Sequence, residues 1–112
     1  MAHASPFEIR SERQHEDSGR LVLSGELDIA TAPQVEEAAR AMLAQGVSNL
    51  VIDLRELTFI DSSGLRMLIM LSDRASGDAW TLGLIRPTDR SLSVFEITGA
   101  HENLPFIEEP SR

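Results

Sequence analysis

Residues 49–54, NLVIDL, constrain the fold more than any other segment: a nearly unbroken apolar run of strand length is the pattern of a strand buried on both faces of a parallel α/β sheet. Such a strand is expected at the centre of its sheet.

The segments around it supply the neighbours and the cover. Ahead of it, in APQVEEAARAMLAQG, Val35, Ala38, Ala39, Met42 and Leu43 recur at helical spacing and form one apolar face. Thr31 followed by Gln34 has the form of a capping box, Pro33 suits the first turn and Gly46 suits the helix end. Earlier still, FEIRSERQHEDSGRLVLSGEL reads as two strands joined in a hairpin by the turn residues EDSG. Beyond NLVIDL the pattern predicts a helix from about Ser62 to Ala75, a turn at SGD and a strand at WTLGLI. After Pro87 it predicts a short helix from Ser91 to Ile97 and a last short strand at FIEE. Alternation of this kind implies an α/β fold with right-handed crossovers, a partly parallel sheet and helical cover.

A chain of 112 residues with 42% hydrophobic content furnishes one core, and no repeat or linker divides it. Residues 1–112 are therefore expected to be a single domain. Without cysteine there is no disulfide, thiolate metal site or cysteine nucleophile, and His3, His15 and His101 stand apart in polar segments, which argues for solvated side chains over a metal centre. A net charge of −8, spread along the chain, argues against a direct nucleic-acid ligand. The apolar runs are too short to cross a bilayer and the N-terminus has no signal-peptide pattern, so a cytoplasmic protein without membrane contact is expected.

The chemistry concentrates in FIDSSGLRMLIM, residues 59–70. With Asp61 as helix cap, Ser62 and Ser63 fall in a first turn whose N–H groups lack partners and whose dipole favours anions. Taken alone, DSS reads first as plain N-capping chemistry. Two features favour a functional reading: the serines follow the central strand at the sheet's carboxyl end, with the Asp28 loop placed nearby, and the helix is too apolar for an ordinary surface helix. Helical geometry groups Leu65, Leu68, Ile69 and Leu71 on the buried face and leaves Met67 and Met70 toward water, where methionine is adaptable contact surface for a protein. The alternative, that a neighbouring segment covers them, stands beside it. A serine nucleophile would need a base within reach and an orienting acid, and no histidine has such a setting; no glycine-rich phosphate loop is present either.

The segments LSGELDIATAPQVEEA, NLVIDLRELTFIDSSGLRMLI and SVFEITGA, at these separations, resemble the STAS-domain anti-sigma-factor antagonists of bacteria over roughly residues 7–107. The resemblance implies a mixed β-sheet with an N-terminal hairpin, helices packed mainly on one side, no cofactor and no catalytic activity. It implies a protein, monomeric when free, whose unphosphorylated form binds an anti-sigma factor that is also a serine kinase and so releases a sigma factor. Phosphorylation of the serine after the aspartate, here Ser62, ends that complex, and a serine phosphatase resets it. By the same resemblance Asp28 matches the family's acidic residue near the acceptor, and the partner surface is expected to combine Asp28, Thr31, Asp61, Ser62, Ser63, Gly64, Arg66, Met67 and Met70. Two departures lie in regions that touch partners: Arg66 stands where the family usually has glycine, and Gly99-Ala100 replaces a GL pair. The other reading is a STAS module that does not switch and serves as a structural or regulatory subunit of a transporter or lipid-transport complex.

Overall fold

Strands and helices alternate along the chain in the computed structural model, which describes residues 7–88 and 104–108. The order is β1 (Glu8–His15), β2 (Ser18–Leu27), α1 (Ala32–Ala44), β3 (Asn49–Ile60), α2 (Ser62–Asp78), β4 (Thr81–Ile85) and β5 (Phe106–Ile107). The sheet runs β1-β2-β3-β4-β5, with β1 antiparallel to β2 and every later pair parallel. The hairpin and the central place of NLVIDL are as the sequence predicts. The short helix expected from Ser91 to Ile97, and the SVFEITGA segment, lie outside the described residues.

Because β2, β3 and β4 are parallel neighbours in chain order, two crossovers of the same hand must put α1 and α2 on one face of the sheet. The two helices touch there. Leu21 and Leu23 of β2, Leu50, Ile52 and Leu54 of β3 and Leu82 and Leu84 of β4 meet Val35, Ala39 and Met42 of α1 and Leu65, Leu68 and Leu71 of α2 in one core. Each such leucine or isoleucine contributes about 1.5–3 kcal/mol by leaving water, which is what holds the helices down.

The ends of α1 follow local chemistry, one as expected and one not. Gly46, at φ 100, donates to Leu43 O at 3.1 Å, and Val47 N donates to Met42 O at 3.1 Å, a Schellman closure that needs the left-handed backbone glycine adopts freely. The capping box does not form. Thr31 is the N-cap residue but makes no side-chain cap, because its hydroxyl is engaged upstream, donating to Glu26 O at 2.9 Å and accepting from Asp28 N at 2.9 Å.

The helix α2 departs from expectation in two ways. It runs past Ala75 through SGD to Asp78, and stops where Ala79 turns left-handed at φ 65. Its buried arc is also rotated, toward Met67 and away from Ile69, from the one expected at 100° per residue. Met67 is therefore buried, at 3% exposure, while Ile69, expected inside, is 37% exposed. The cause is α1: α2 rests on the sheet and also leans on α1, so the flank carrying Met67 is covered beside Ala32 and Pro33.

One charge sits inside NLVIDL. Asp53 is 3% exposed and points to the sheet face opposite Ile52 and Leu54, away from both helices. Arg55, two residues on and so on the same side, donates from Nε to Oδ1 at 3.0 Å, from Nη2 to Oδ2 at 2.7 Å and from its backbone N to Oδ1 at 3.0 Å. Arg20 of β2 adds a contact of 3.5 Å. Burial alone would raise this carboxyl's pKa, but the hydrogen bonds from Arg55 and the charges of Arg55 and Arg20 outweigh it and hold the group below the ordinary carboxylate value.

Candidate functional site

Strand β3 continues well beyond NLVIDL, for twelve residues in all, and delivers the chain at Ile60 directly to the serines. Asp61 takes an extended backbone and caps α2, its carboxylate accepting from Gly64 N at 3.0 Å, while Leu65 N closes the first helical bond to Asp61 O at 3.0 Å. Ser62 is thus the first helical residue. Its hydroxyl is exposed and makes no hydrogen bond among the described residues, whereas Ser63 is half-buried.

Two contacts bring the GELD loop beside it. Asp61 N donates to Leu27 O at 3.1 Å, tying the ends of β2 and β3 together. Gly64 then packs so closely that a Cβ there would stand 2.8 Å from Leu27 Cγ and 3.0 Å from Leu27 O. Glycine is what lets the first turn of α2 sit on the end of β2. Gly64 is buried, so its part is positional, and it does not offer the contact surface expected of it.

The loop between β2 and α1 is held by its own polar groups. Asp28 Oδ1 accepts from Ala30 N at 3.0 Å and Thr31 N at 3.1 Å, and Asp28 O accepts from Ala32 N at 2.8 Å. With Asp28 and Thr31 occupied in this way, the side chain the loop presents to water is Ile29, 75% exposed. Sequence reasoning missed Ile29, although a lone apolar residue among loop-forming neighbours in DIAT was a signal. It also missed Phe59, 45% exposed, which alternates with buried Ile60 at the end of β3.

Between this loop and α2 lies an open groove of about 260 Å³, walled by Ile29, Ala32, Pro33 and Glu36 on one side and by Ser63, Arg66, Met67 and Met70 on the other. Its floor is apolar and its lips carry one acid and one base. Of the two methionines, only Met70, 39% exposed, meets the expectation of free contact surface; Met67 forms the buried base of the wall. The difference is measurable. By denaturant unfolding, Met67→Ala is expected to cost about 2–5 kcal/mol, and Met70→Ala less than about 1 kcal/mol. Equal costs would show that the groove is drawn wrongly.

Chemically, the arrangement offers an exposed hydroxyl at a helix start, beside an apolar groove. Among the described residues no group of three or more His, Asp or Glu side chains could hold a metal ion, and no helix is long and apolar enough to cross a membrane.

Similarity to known proteins runs through this region. The family model described as Mlab, STAS domain, matches residues 11–108. The anti-sigma-B factor antagonist of Staphylococcus aureus is 30% identical over 77 residues, covering 69% of this chain and 71% of that protein. The crystal structure of an anti-sigma factor antagonist from Mycobacterium paratuberculosis superposes with a TM-score of 0.78 at 26% identity, covering 96% of this chain and 92% of that one. The anti-sigma factor antagonist SpoIIAA in its unphosphorylated form shares the fold, with a TM-score of 0.73 at 20% identity over 93% of this chain and 90% of that one.

Proposed function

Because the chain belongs to the STAS-domain family of anti-sigma-factor antagonists, we propose that its unphosphorylated form binds a cytoplasmic anti-sigma factor and so frees a sigma factor for transcription. The anti-sigma factor is also a serine kinase, and phosphorylation of Ser62 switches the complex off. In the transfer, Ser62 Oγ attacks the γ-phosphorus of ATP, the hydroxyl proton passes to a base of the kinase, and ADP leaves. A serine phosphatase then hydrolyses the ester. The antagonist itself supplies an acceptor and a surface, and no catalytic group.

The observation that carries this reading is the state of Ser62: exposed, first in α2, and with a hydroxyl that nothing among the described residues engages. Placement there also leaves the fold tolerant of the product. The N–H groups of the first turn have no intrahelical acceptor, and the positive end of the helix dipole favours a phosphate. The groove supplies what a switch needs beside its acceptor, an apolar surface centred on Ile29 and Met70 on which a partner can dry its contacts.

The test joins partner and modification. The chain is captured from its native host with whatever it binds, and intact mass is read for the bound and free fractions. The purified kinase is then supplied with ATP and the phosphate mapped by fragmentation. The bound fraction should be unmodified and the free fraction should carry one phosphate on Ser62. A phosphate on Ser63 alone would overturn the assignment, and capture of transporter subunits in place of a kinase would overturn the function.

A further inference from the structure

We propose that Arg66 is an internal clamp for phosphorylated Ser62: its guanidinium folds back along α2, binds the phosphate once it is installed, lowers the pKa of the phosphate and slows its removal. The inference rests on Ser62 as the phosphoacceptor and concerns how long the switched-off state lasts.

The geometry is that of a helix. Because α2 begins at Ser62, residues 62 and 66 are one turn apart on the same face, and both are exposed. The Cα–Cβ bond of a helical residue tilts toward the helix N-terminus, so the Arg66 side chain starts out toward the turn that carries Ser62, and it lines the groove beside Ser63. An acid placed four residues before a base is the favourable order for such a pair, and here the acid at the helix start also complements the helix dipole. A phosphoserine at 62 and an arginine at 66 have that order.

Among the described residues nothing engages the guanidinium. Arg66 makes no ion pair or hydrogen bond among the described residues. Among the described residues its acidic competitors are Glu36, on the facing wall of the groove, and Asp73, two turns further along its own helix face, the Asp61 carboxylate being already engaged by Gly64 N. Neither is within ion-pairing distance of it, and each carries one charge against the roughly 1.5–2 of a phosphate. A planar fork also meets two phosphate oxygens at once. The family's usual glycine at this position could do none of this, so the clamp would be a property of this chain.

The switch's own enzymes are kept out of the experiment. Phosphoserine is incorporated at position 62 during synthesis, in the wild-type chain and in Arg66→Gln, which removes the charge with little change in helix propensity. Phosphorus NMR follows the phosphate through its second ionisation, and a broad-specificity metal-dependent serine phosphatase gives the dephosphorylation rate. The wild-type phosphate should titrate lower than that of Arg66→Gln by roughly 0.2–0.7 of a pH unit, the scale of an exposed ion pair, and the gap should close in 1 M salt. Dephosphorylation should be roughly two- to threefold slower in wild type, as a pair of that strength implies. Superimposed titration curves or equal rates overturn the clamp. Since the phosphate is placed without the kinase, such a failure says nothing against Ser62 as the natural acceptor, which the mapping experiment decides.

Discussion

Phosphorylated on Ser62, the chain should bind its ATP-loaded kinase at least about a hundredfold more weakly than the unmodified chain, a loss of about 3 kcal/mol or more. For transfer to occur, Ser62 Oγ must approach to about 3–3.5 Å of the γ-phosphorus. A phosphate already on that oxygen then claims the volume of the nucleotide's own γ-phosphate and faces its charge. Steric exclusion and like-charge repulsion act together, and both act where water has been expelled and screening is weak. The loss should be smaller with ADP, which vacates the γ position.

The same reasoning ranks the substitutions. Ser62→Ala keeps the surface and lacks the acceptor, so it should bind as the unmodified chain does and never release. Ser62→Asp carries one charge in place of nearly two and no tetrahedral bulk, and should fall between, weakened by roughly tenfold. None of these changes should unfold the chain, because a negative group at the first position of α2 is favoured by the helix dipole; thermal unfolding should shift by no more than about 1 kcal/mol. Binding measured by calorimetry with each nucleotide gives the answer. Should the phosphorylated chain bind the ATP-loaded kinase as tightly as the unmodified one, the switch has been assigned to the wrong residue.

Much of this site could be read in the sequence because its determinants are local. The apolar run of NLVIDL, the face of α1 through Val35, Ala39 and Met42, the cap at Asp61 and the start of α2 at Ser62 each depend on residues within a turn or two of one another. What escaped depends on contacts made across the fold. Met67 is buried because α1 happens to lie on its flank, and no period within α2 contains that information. Thr31 forsakes its capping box because the carbonyl of Glu26, across the tight loop, holds its hydroxyl. The register shifts that let β3 run on to Ile60 beside β2, after Val22 and after Gly25, are likewise properties of a strand pair. Asp53 is the strongest case: read alone it is a flaw in an apolar run, and its arginine from β2 lies 33 residues away in sequence.

That buried carboxylate gives the largest expected effect on stability. Asp53→Asn should destabilise the chain by about 2–4 kcal/mol at neutral pH, because it removes one buried counter-charge that two guanidinium groups share while leaving both in place. The cost falls around and below the lower end for a broken buried pair, since the Arg55 side chain is 38% exposed and regains water, whereas that of Arg20 is only 14% exposed. The pH dependence separates charge from shape. A carboxyl whose folded pKa is depressed contributes stability that is complete above its unfolded pKa of about 3.8 and is lost as pH falls through the folded value. Wild type should therefore shed this contribution on acidification below about pH 4, while the amide variant has none to shed. Other carboxylates titrate in both proteins and cancel in the difference. Denaturant unfolding of the two at pH 7 and pH 3 should show a gap that is wide at the first and narrows at the second. A gap of equal size at both would mean that the amide costs packing or hydrogen-bond geometry and that the ion pair contributes nothing. Because Asp53 faces away from α1, α2 and the groove, the folded fraction of the variant should still bind the partner with unchanged affinity, so stability and switching can be altered independently in this chain.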